Sequence, residues 1–271
     1  MYLGYFLLAF LLVLFLTPAV RTLMRYFKIV DLPKSAERKI HKKKIPLGGG
    51  GAIFLAFFLV AGIVYFFTDN FGANVQPLYL WALFLGSIIL MLGGFLDDKY
   101  NLRARWQLLF AVLAAAVVVF FGIGPEIVTN PFGGIIHLDA LKISAGNLGQ
   151  WLLLSDFIVF FWLMAMMFTT KLLDGLDGLV VGVVIIGASL IAALSLQAKW
   201  YQPDLALLAI IFVGACAGFL LWNFYPAKIF LGQGGSLFLG FILGCLAIIS
   251  GGKIATTLLG IGVPMLDMAR V

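Results

Sequence analysis

Residues 205–227 read LALLAIIFVGACAGFLLWNFYPA, a run of apolar and small residues that contains no Asp, Glu, Lys or Arg. A helix of about 20 apolar residues crosses the hydrocarbon core of a bilayer, so this run has the length of a transmembrane helix. The rest of the chain is similar, because 63% of the 271 residues are hydrophobic and 11% are charged. Soluble domains carry roughly 25% charged residues. The composition therefore excludes an ordinary soluble enzyme and predicts an all-α integral membrane protein.

Uncharged or nearly uncharged runs of this kind recur and predict a polytopic helical bundle of about nine transmembrane helices. They cover residues 1–20, 45–68, 70–96, 106–125, 151–170, 178–198, 205–227, 229–252 and 254–266. We expect residues 1–271 to form a single polytopic membrane domain. Between the fourth and fifth runs, Pro, Gly and an alternating stretch in residues 122–150 predict a short β-hairpin.

The basic residues predict the orientation of these helices. Of the 18 Lys and Arg residues, all but Lys142, Lys199 and Lys253 follow odd-numbered spans. Lys and Arg accumulate in cytoplasmic loops, so we expect the N-terminus outside and the odd-numbered loops inside. Topology thereby explains the net charge of +6 without a nucleic-acid partner. Cys216 and Cys245 lie inside apolar runs and form no disulfide framework or metal-ligand pattern.

Two pairs of carboxylates fall at the predicted cytoplasmic face. Asp97 and Asp98 follow the third span directly, and Asp174 and Asp177 follow the fifth. Adjacent carboxylates repel each other, which favours a cation beside them, and Mg²⁺ binds one or two carboxylates together with phosphate oxygens. A solvated helix end and a capped turn before the sixth span explain the same residues without any ligand. From spacing alone, both interpretations stay open.

Two glycine-rich segments lie at the same predicted face. Residues 232–236, GQGGS, open the eighth span, and free backbone N–H groups at such a helix start can bind an anion. The four glycines at 48–51 open the second span and follow a basic segment that contains charged groups suited to phosphate. A glycine turn without a ligand, and basic residues that only set the topology, are the alternatives.

In their order along the chain, these segments resemble the motifs of the polyprenyl-phosphate N-acetylhexosamine-1-phosphate transferases. The matching stretches are RKIHKKKIPLGG at 38–49, FLDDK at 95–99, KLLDGLDGL at 171–179, NFYPAKIFLG at 223–232, GSLFLG at 235–240 and VPMLD at 263–267. The match covers essentially the whole chain. No single motif carries the resemblance; the order of all of them together does. The form of the basic segment resembles the branch that uses UDP-N-acetylglucosamine.

The resemblance implies a membrane transferase that moves N-acetylhexosamine 1-phosphate, with GlcNAc 1-phosphate favoured, from a UDP-sugar to undecaprenyl or another polyprenyl phosphate. UMP would leave, and the product would start cell-wall, peptidoglycan or lipopolysaccharide synthesis from the cytoplasmic face of the plasma membrane. The implied cofactor is Mg²⁺, with Mn²⁺ as an alternative. The implied partners are the UDP-sugar, the polyprenyl phosphate lipid and the membrane, without nucleic acid, and a homodimer stays open.

The resemblance also assigns roles to individual residues. Asp97 and Asp98 would be catalytic, with Asp97 as the base or orienting group for the lipid phosphate. The implied metal ligands are Asp98, Asp177 and Gln233. Asp174 would contact uracil and Phe230 would stack on it. The full set of implied substrate-binding residues is Arg38, His41, Lys42, Lys43, Lys171, Asp174, Asp177, Asn223, Phe230 and Ser236.

Three departures from the family pattern bear on activity. Gln233 stands where the family has a metal-binding Asp, and an amide oxygen brings no charge, so we expect weaker metal binding. Lys171 stands where the family has Asn, and we expect its ammonium to pair with a diphosphate or with Asp174. The chain stops at Val271, before the family's His-rich loop and last spans, which leads us to expect a missing C-terminal part.

These departures keep two alternatives open. The first is a catalytically impaired family member that binds polyprenyl phosphate without turnover, which the change at Gln233 favours and the retention of all four Asp residues opposes. The second is a membrane prenyltransferase that acts on an aromatic ring. The Asp-Gly repeat at 174–178 does not resemble the paired Asp motifs of such enzymes.

Overall fold

The computed structural model describes residues 1–31, 33, 44–125, 127–129, 135–137, 142–144 and 150–251. This part of the chain contains eight α-helices, and each of them overlaps one of the predicted apolar runs. They are α1 (Tyr2–Tyr26), α2 (Gly50–Phe67), α3 (Pro77–Tyr100), α4 (Ala104–Phe120), α5 (Leu153–Leu173), α6 (Leu179–Ser195), α7 (Pro203–Asn223) and α8 (Gln233–Ile249). The ninth predicted span, residues 254–266, lies outside the described residues.

The helices have the length and surface of membrane spans. Five of them, α1, α2, α3, α5 and α7, are long and apolar enough to cross a bilayer. The other three are apolar and have 17 residues each, which is near the lower limit for a span. Large apolar side chains such as Phe15, Phe66 and Phe157 are exposed, and a surface of this kind suits lipid rather than water. The prediction of a multi-pass helical membrane protein is confirmed, whereas nine spans and an outside N-terminus stay predictions.

Short antiparallel strands form three pairs within two of the connections. They are β1 (Val30–Asp31) with β2 (Ile45–Pro46), β3 (Ile127–Thr129) with β4 (Ile135–His137), and β5 (Lys142–Ser144) with β6 (Gln150–Leu152). The last two pairs lie in the connection between α4 and α5, where the sequence predicts one hairpin and the structure has two strand pairs. A single turn of 3-10 helix, Ala198–Trp200, joins α6 to α7.

Helix α8 lies at the centre of the bundle. Its residues 234–248 are all buried, and it packs against α2, α3, α5 and α6. Helix α7 packs between α1 and α6. Aromatic rings fill the space between α2 and α8, where Phe54 and Phe58 lie 5.9 and 6.4 Å from Phe238, measured between ring centroids. The helices around α8 therefore pack against a buried, largely apolar centre.

Glycines let α2 and α3 approach the start of α8 closely. A Cβ at Gly94 of α3 would lie 2.0 Å from the Cα of Gly234, and a Cβ at Gly50 of α2 would lie 2.2 Å from the Cα of Gly235. Small residues at helix interfaces permit this approach of two backbones. The glycines of both predicted anion-binding segments therefore have a packing role, which brings the ends of three helices together.

Candidate functional site

The predicted site residues gather where α3 and α5 end and α8 begins. We call this region the carboxylate end and define it as residues 95–107, 171–178 and 223–236. The charges of Asp97, Lys171 and Asp174 all act on Asp98, and the first backbone N–H of α8 donates to the same carboxylate. The structure thus brings together two carboxylate segments that are separated by more than 70 residues in the sequence.

Asp97 is buried in the last turn of α3, with 6% of its surface exposed. Its Oδ1 accepts hydrogen bonds from the Leu102 backbone N–H at 2.8 Å and from the Gln107 side-chain amide at 2.9 Å. Asn101 ends the helix with a left-handed φ of 49°, which turns the chain back so that Leu102 reaches the carboxylate. Within the described residues no hydrogen bond reaches Oδ2.

Asp98 caps the start of α8. Its Oδ1 accepts a hydrogen bond from the Gln233 backbone N–H at 3.1 Å. A carboxylate at a helix N-terminus is stabilised by the free N–H groups and by the helix dipole. Gly232 has a φ of 80°, and a Cβ at this position would lie 2.5 Å from Oδ2 of Asp98, so glycine permits the contact. The first donor of the predicted anion cradle is therefore already used by the protein's own carboxylate.

Gln107 of α4 is a site residue that the sequence did not single out. Its amide nitrogen donates to Asp97 Oδ1 and to the Leu102 carbonyl, and its Oε1 accepts a hydrogen bond from the Lys171 ammonium. A small cavity beside it is lined by Gly93, Gly94, Asp97, Gln107, Phe110, Lys171, Gln233 and Leu237. The available signal was that Gln107 is the single uncharged polar residue of an otherwise apolar helix that also contains Arg105.

Two side chains at this end carry oxygen atoms of the kind that Mg²⁺ binds. Gln233 Oε1 is buried and has no hydrogen-bond partner in the described residues, an arrangement that costs about 1–3 kcal/mol unless a ligand supplies the partner. With the Asp98 carboxylate it offers two oxygen donors, and Mg²⁺ takes its remaining ligands from phosphates and water. No group of three or more His, Cys, Asp or Glu meets at metal-binding distance in the described residues. The residues fit a Mg²⁺ ion that substrate oxygens complete.

Asp177, the third implied metal ligand, takes part in fastening two loops together. Its Oδ2 accepts a hydrogen bond from the Ala227 backbone N–H at 3.0 Å. Asn223 accepts from the Gly178 N–H through Oδ1 at 3.1 Å and donates to the Ile229 carbonyl at 3.0 Å. These bonds join the turn after α5 to the connection between α7 and α8, so Asn223 has at least a structural role.

The connection between α7 and α8 is in turn bonded to the segment before α2. The Phe230 N–H donates to the Pro46 carbonyl, and the Phe230 carbonyl accepts from the Gly49 N–H, both at 2.9 Å. The Phe230 residue itself is half-buried. The implied phosphate-binding residues of the preceding basic segment lie outside the described residues; they are Arg38, His41, Lys42 and Lys43.

Asp174 and Ser236 differ in their accessibility to a ligand. Desolvation by surrounding protein atoms raises the pKa of the Asp174 carboxyl to about 7, yet the residue keeps an exposed surface that a ligand can reach. Ser236 is buried in the first turn of α8, where its Oγ donates to the Gln233 carbonyl at 3.1 Å. A contact between Ser236 and phosphate stays a prediction.

Known proteins match this chain over most of its length. Residues 80–251 match the model of glycosyl transferase family 4. The chain is 32% identical over 261 residues to a probable undecaprenyl-phosphate N-acetylglucosaminyl 1-phosphate transferase of Bacillus subtilis, with 96% of this chain and 66% of the relative covered. It is 30% identical over 257 residues to a decaprenyl-phosphate N-acetylglucosaminephosphotransferase of Mycolicibacterium smegmatis, with 91% and 59% covered.

A third relative carries a different name. The chain is 32% identical over 267 residues to a phospho-N-acetylmuramoyl-pentapeptide-transferase of Desulforamulus reducens, with 93% of this chain and 75% of the relative covered. By contrast, the chain spans less than two thirds of the length of the Bacillus and Mycolicibacterium relatives.

Proposed function

Because the chain belongs to glycosyl transferase family 4, we propose that it transfers N-acetylglucosamine 1-phosphate from UDP-N-acetylglucosamine to a polyprenyl phosphate and releases UMP. The names of the Bacillus and Mycolicibacterium relatives support this sugar and this class of lipid acceptor. The observation that carries the proposal is Asp97, a buried carboxylate with one oxygen free of hydrogen bonds in the described residues, beside Asp98, Lys171 and Asp174.

In the proposed reaction, an oxygen of the lipid phosphate attacks the β-phosphorus of the UDP-sugar. The bond between this phosphorus and the bridging oxygen breaks, and the oxygen leaves with UMP. Catalysis of such transfers consists mostly of positioning and of charge neutralisation. Asp97 would orient the lipid phosphate and accept its proton at Oδ2, while Leu102 and Gln107 hold the carboxylate still through Oδ1.

The donor would lie between the turn after α5 and the start of α8. Asp98 and Gln233 are the residues that would hold Mg²⁺ or Mn²⁺, which supplies positive charge to the diphosphate when bound. Asp177 would support them through the oxygen that does not bond Ala227. The contact of the exposed Asp174 with uracil, and the stacking of Phe230, are part of this proposal, as are contacts of the basic residues before α2 with phosphate.

We further propose that the carboxylate end faces the cytoplasm at the plasma membrane and that the N-terminus lies outside. Basic residues in cytoplasmic loops support this orientation. Lys99, Arg103 and Lys228 lie in or next to the connections of the carboxylate end, whereas Lys199 lies in the connection between α6 and α7 at the opposite end.

The test is a measurement of UMP release by the purified protein in detergent with Mg²⁺, UDP-N-acetylglucosamine and undecaprenyl phosphate. We expect UMP to appear only when both the donor and the lipid are present. A reaction without the lipid serves as the control for simple hydrolysis. Binding of the lipid phosphate without UMP release from this or any other UDP-sugar would instead support the non-catalytic alternative.

A further inference from the structure

The Lys171 ammonium has its partners within the protein. It lies in the last turn of α5, is half-buried and donates a hydrogen bond to Oε1 of Gln107. The carboxylates whose charges act on it are Asp97 and Asp98 of α3. Asp174, the alternative partner predicted from the sequence, is not among them. The ammonium is therefore directed towards α3 and α4 rather than towards the turn that follows its own helix.

The space beside this ammonium is too small for a phosphate. The cavity that Lys171 shares with Asp97, Gln107 and Gln233 has a volume of about 10 Å³, which is room for one water molecule. A diphosphate does not fit in this volume, and the Asp97 carboxylate in the same wall would repel it. The side of Lys171 that faces the cavity therefore interacts with the protein's own groups.

The Gln107 amide links Lys171 to Asp97 by hydrogen bonds. Its nitrogen donates to Asp97 Oδ1 at 2.9 Å and to the Leu102 carbonyl at 3.1 Å, while its oxygen accepts from the ammonium. The reverse orientation would set oxygen against oxygen and nitrogen against nitrogen. An ammonium can only donate, so it accepts one of the two amide orientations. Lys171 thereby determines which end of the amide faces the carboxylate.

This link affects how firmly the Asp97 carboxylate is held. Loss of the ammonium would leave Gln107 Oε1 without its partner and free the amide to rotate. Asp97 Oδ1 would then keep one secure bond, from the Leu102 N–H at 2.8 Å. Hydrogen bonds in a chain also polarise one another, so the ammonium strengthens the bond that Gln107 donates. Because a misplacement of about 1 Å can lower an enzymatic rate by roughly 10²-fold, turnover depends on this bond.

We propose that Lys171 is a positioning residue, which holds the Asp97 carboxylate in its reactive orientation through the Gln107 amide and makes no contact with the sugar donor. The inference rests on the proposed function, because it concerns the group that accepts the proton of the lipid phosphate. It replaces the expectation, drawn from the family pattern, that Lys171 pairs with a diphosphate. Asp97 remains the catalytic residue, and Lys171 and Gln107 act through it.

The experiment measures kcat and the KM for UDP-N-acetylglucosamine, with Mg²⁺ and undecaprenyl phosphate, for the purified protein in detergent. Lys171→Met should lower kcat by roughly tenfold or more, the effect of one hydrogen bond to a charged group. The KM for the donor should not change, nor should the affinity for UDP in a calorimetric titration with Mg²⁺. A residue that bound the donor would raise the KM instead, because it would contact the substrate before the reaction.

A double-mutant cycle tests whether Lys171 acts through Gln107. Gln107→Met removes the amide at nearly the same side-chain size and should lower kcat by itself. If the two residues form one chain, the double variant Lys171→Met/Gln107→Met should lower kcat no further than the more severe single change. Independent roles, one at the donor and one at Asp97, would instead multiply the two losses.

Lys171→Gln is the conservative variant and takes the place of Lys171→Met if that variant does not fold. Its amide can donate to Gln107 without a positive charge, so it should keep more of kcat than Lys171→Met does. Lys99→Met is the matched control, because it removes an exposed ammonium at the same end that lies over the rings of Phe27 and Tyr100. It should turn over as the wild type does, and thermal unfolding checks the fold of every variant.

Four results would overturn the inference. A higher KM and a weaker affinity for UDP in Lys171→Met, at an unchanged kcat, would show that the ammonium binds the donor, and the transferase proposal would stand. Losses that multiply in the double variant would exclude action through Gln107. Equal losses in Lys171→Met and Lys171→Gln would show that the charge, not the hydrogen bond, is what matters. If the wild type releases no UMP from any UDP-sugar, the proposed function fails and the inference fails with it.

Discussion

Asp97 and Asp204 are both buried carboxylates at helix ends, but they differ in how many hydrogen bonds their oxygens accept. Asp204 lies at the start of α7, and its two oxygens accept four bonds, from the backbone and side chain of Asn74 and from the backbones of Val75 and Leu205. Asp97 accepts two bonds, both at Oδ1, and none reaches Oδ2 in the described residues.

This difference separates a structural carboxylate from one that can take part in a reaction. The bonds of Asp204 fasten the connection between α2 and α3 to α7 and leave its oxygens little capacity for a ligand. The bonds of Asp97 fix the orientation of the carboxylate and, among the described residues, leave Oδ2 without a hydrogen bond, so that in the proposed reaction it can take a proton. Burial and residue type are the same at the two ends, so the hydrogen-bond pattern is what distinguishes them.

The largest expected effect is that of Asp97→Asn on turnover. Removal of a catalytic base lowers rates by about 10²–10⁴-fold, and we expect a loss of UMP release in this range. The asparagine carbonyl can still accept the bonds from Leu102 and Gln107, so the thermal unfolding temperature should change little. Initial rates and thermal unfolding of the same preparation measure both quantities. A variant with the wild-type rate would remove Asp97 from the mechanism.

Asp204→Ala should show the opposite pattern. The change removes the acceptor of the buried Val75 and Leu205 N–H groups and of the partly buried Asn74 donors. Since each buried group without a partner costs roughly 1–3 kcal/mol, we expect the free energy of unfolding to fall by about 2–4 kcal/mol. Below the unfolding temperature, the rate of UMP release per folded molecule should equal that of the wild type. Loss of turnover without loss of stability would reverse the roles assigned to the two carboxylates.

The helices could be predicted because a lipid-facing chain contains few charged residues, and most of them lie at or near the end of a span. The boundaries were less accurate where apolar residues form loops. The eighth predicted run begins at residue 229, but α8 begins at Gln233, because the residues before it are bonded to the segment that precedes α2. An apolar loop that is buried at the end of a bundle has the same composition as a helix, so composition does not separate them.

Within the candidate site, carboxylates were easier to predict than the groups that hold them. Asp97 and Asp174 stand out because acidic residues are rare in this chain, whereas Gln107 is an uncharged residue whose partners lie on two other helices. Asp204 shows the same limit, since its contact with Asn74 joins residues 130 positions apart. Such long-range bonds depend on packing that a local pattern does not contain.

Gly94→Ala tests how much the carboxylate end depends on close helix packing. A Cβ there would lie 2.0 Å from Gly234, so α3 must move away from α8, and overpacking of this kind costs about 1–3 kcal/mol of stability. We expect turnover to fall too, because the movement separates Asp98 from the Gln233 N–H.

The matched control for this change is Gly62→Ala on α2. A Cβ at Gly62 would have no heavy atom within 4 Å, so the change should leave turnover intact and stabilise the helix by roughly 0.5–1 kcal/mol. Thermal unfolding and UMP release of the two variants provide the comparison. Equal effects at the two positions would show that the approach of α3 to α8 is not what holds the carboxylate end in place.

Gln233→Asp has the smallest expected effect and tests whether the carboxylate end is built to hold a cation. If the unpartnered Oε1 of Gln233 is a weak metal ligand, a carboxylate there should lower the Mg²⁺ concentration needed for half-maximal UMP release by roughly tenfold. Mg²⁺ should also raise the thermal unfolding temperature more in the variant than in the wild type. Gln76→Asp adds the same charge at the exposed opposite end and should change neither quantity. An unchanged Mg²⁺ requirement in Gln233→Asp would show that position 233 does not bind the metal. The contrast between Asp97 and Asp204 would then rest on Oδ2 of Asp97 alone, which accepts no hydrogen bond in the described residues.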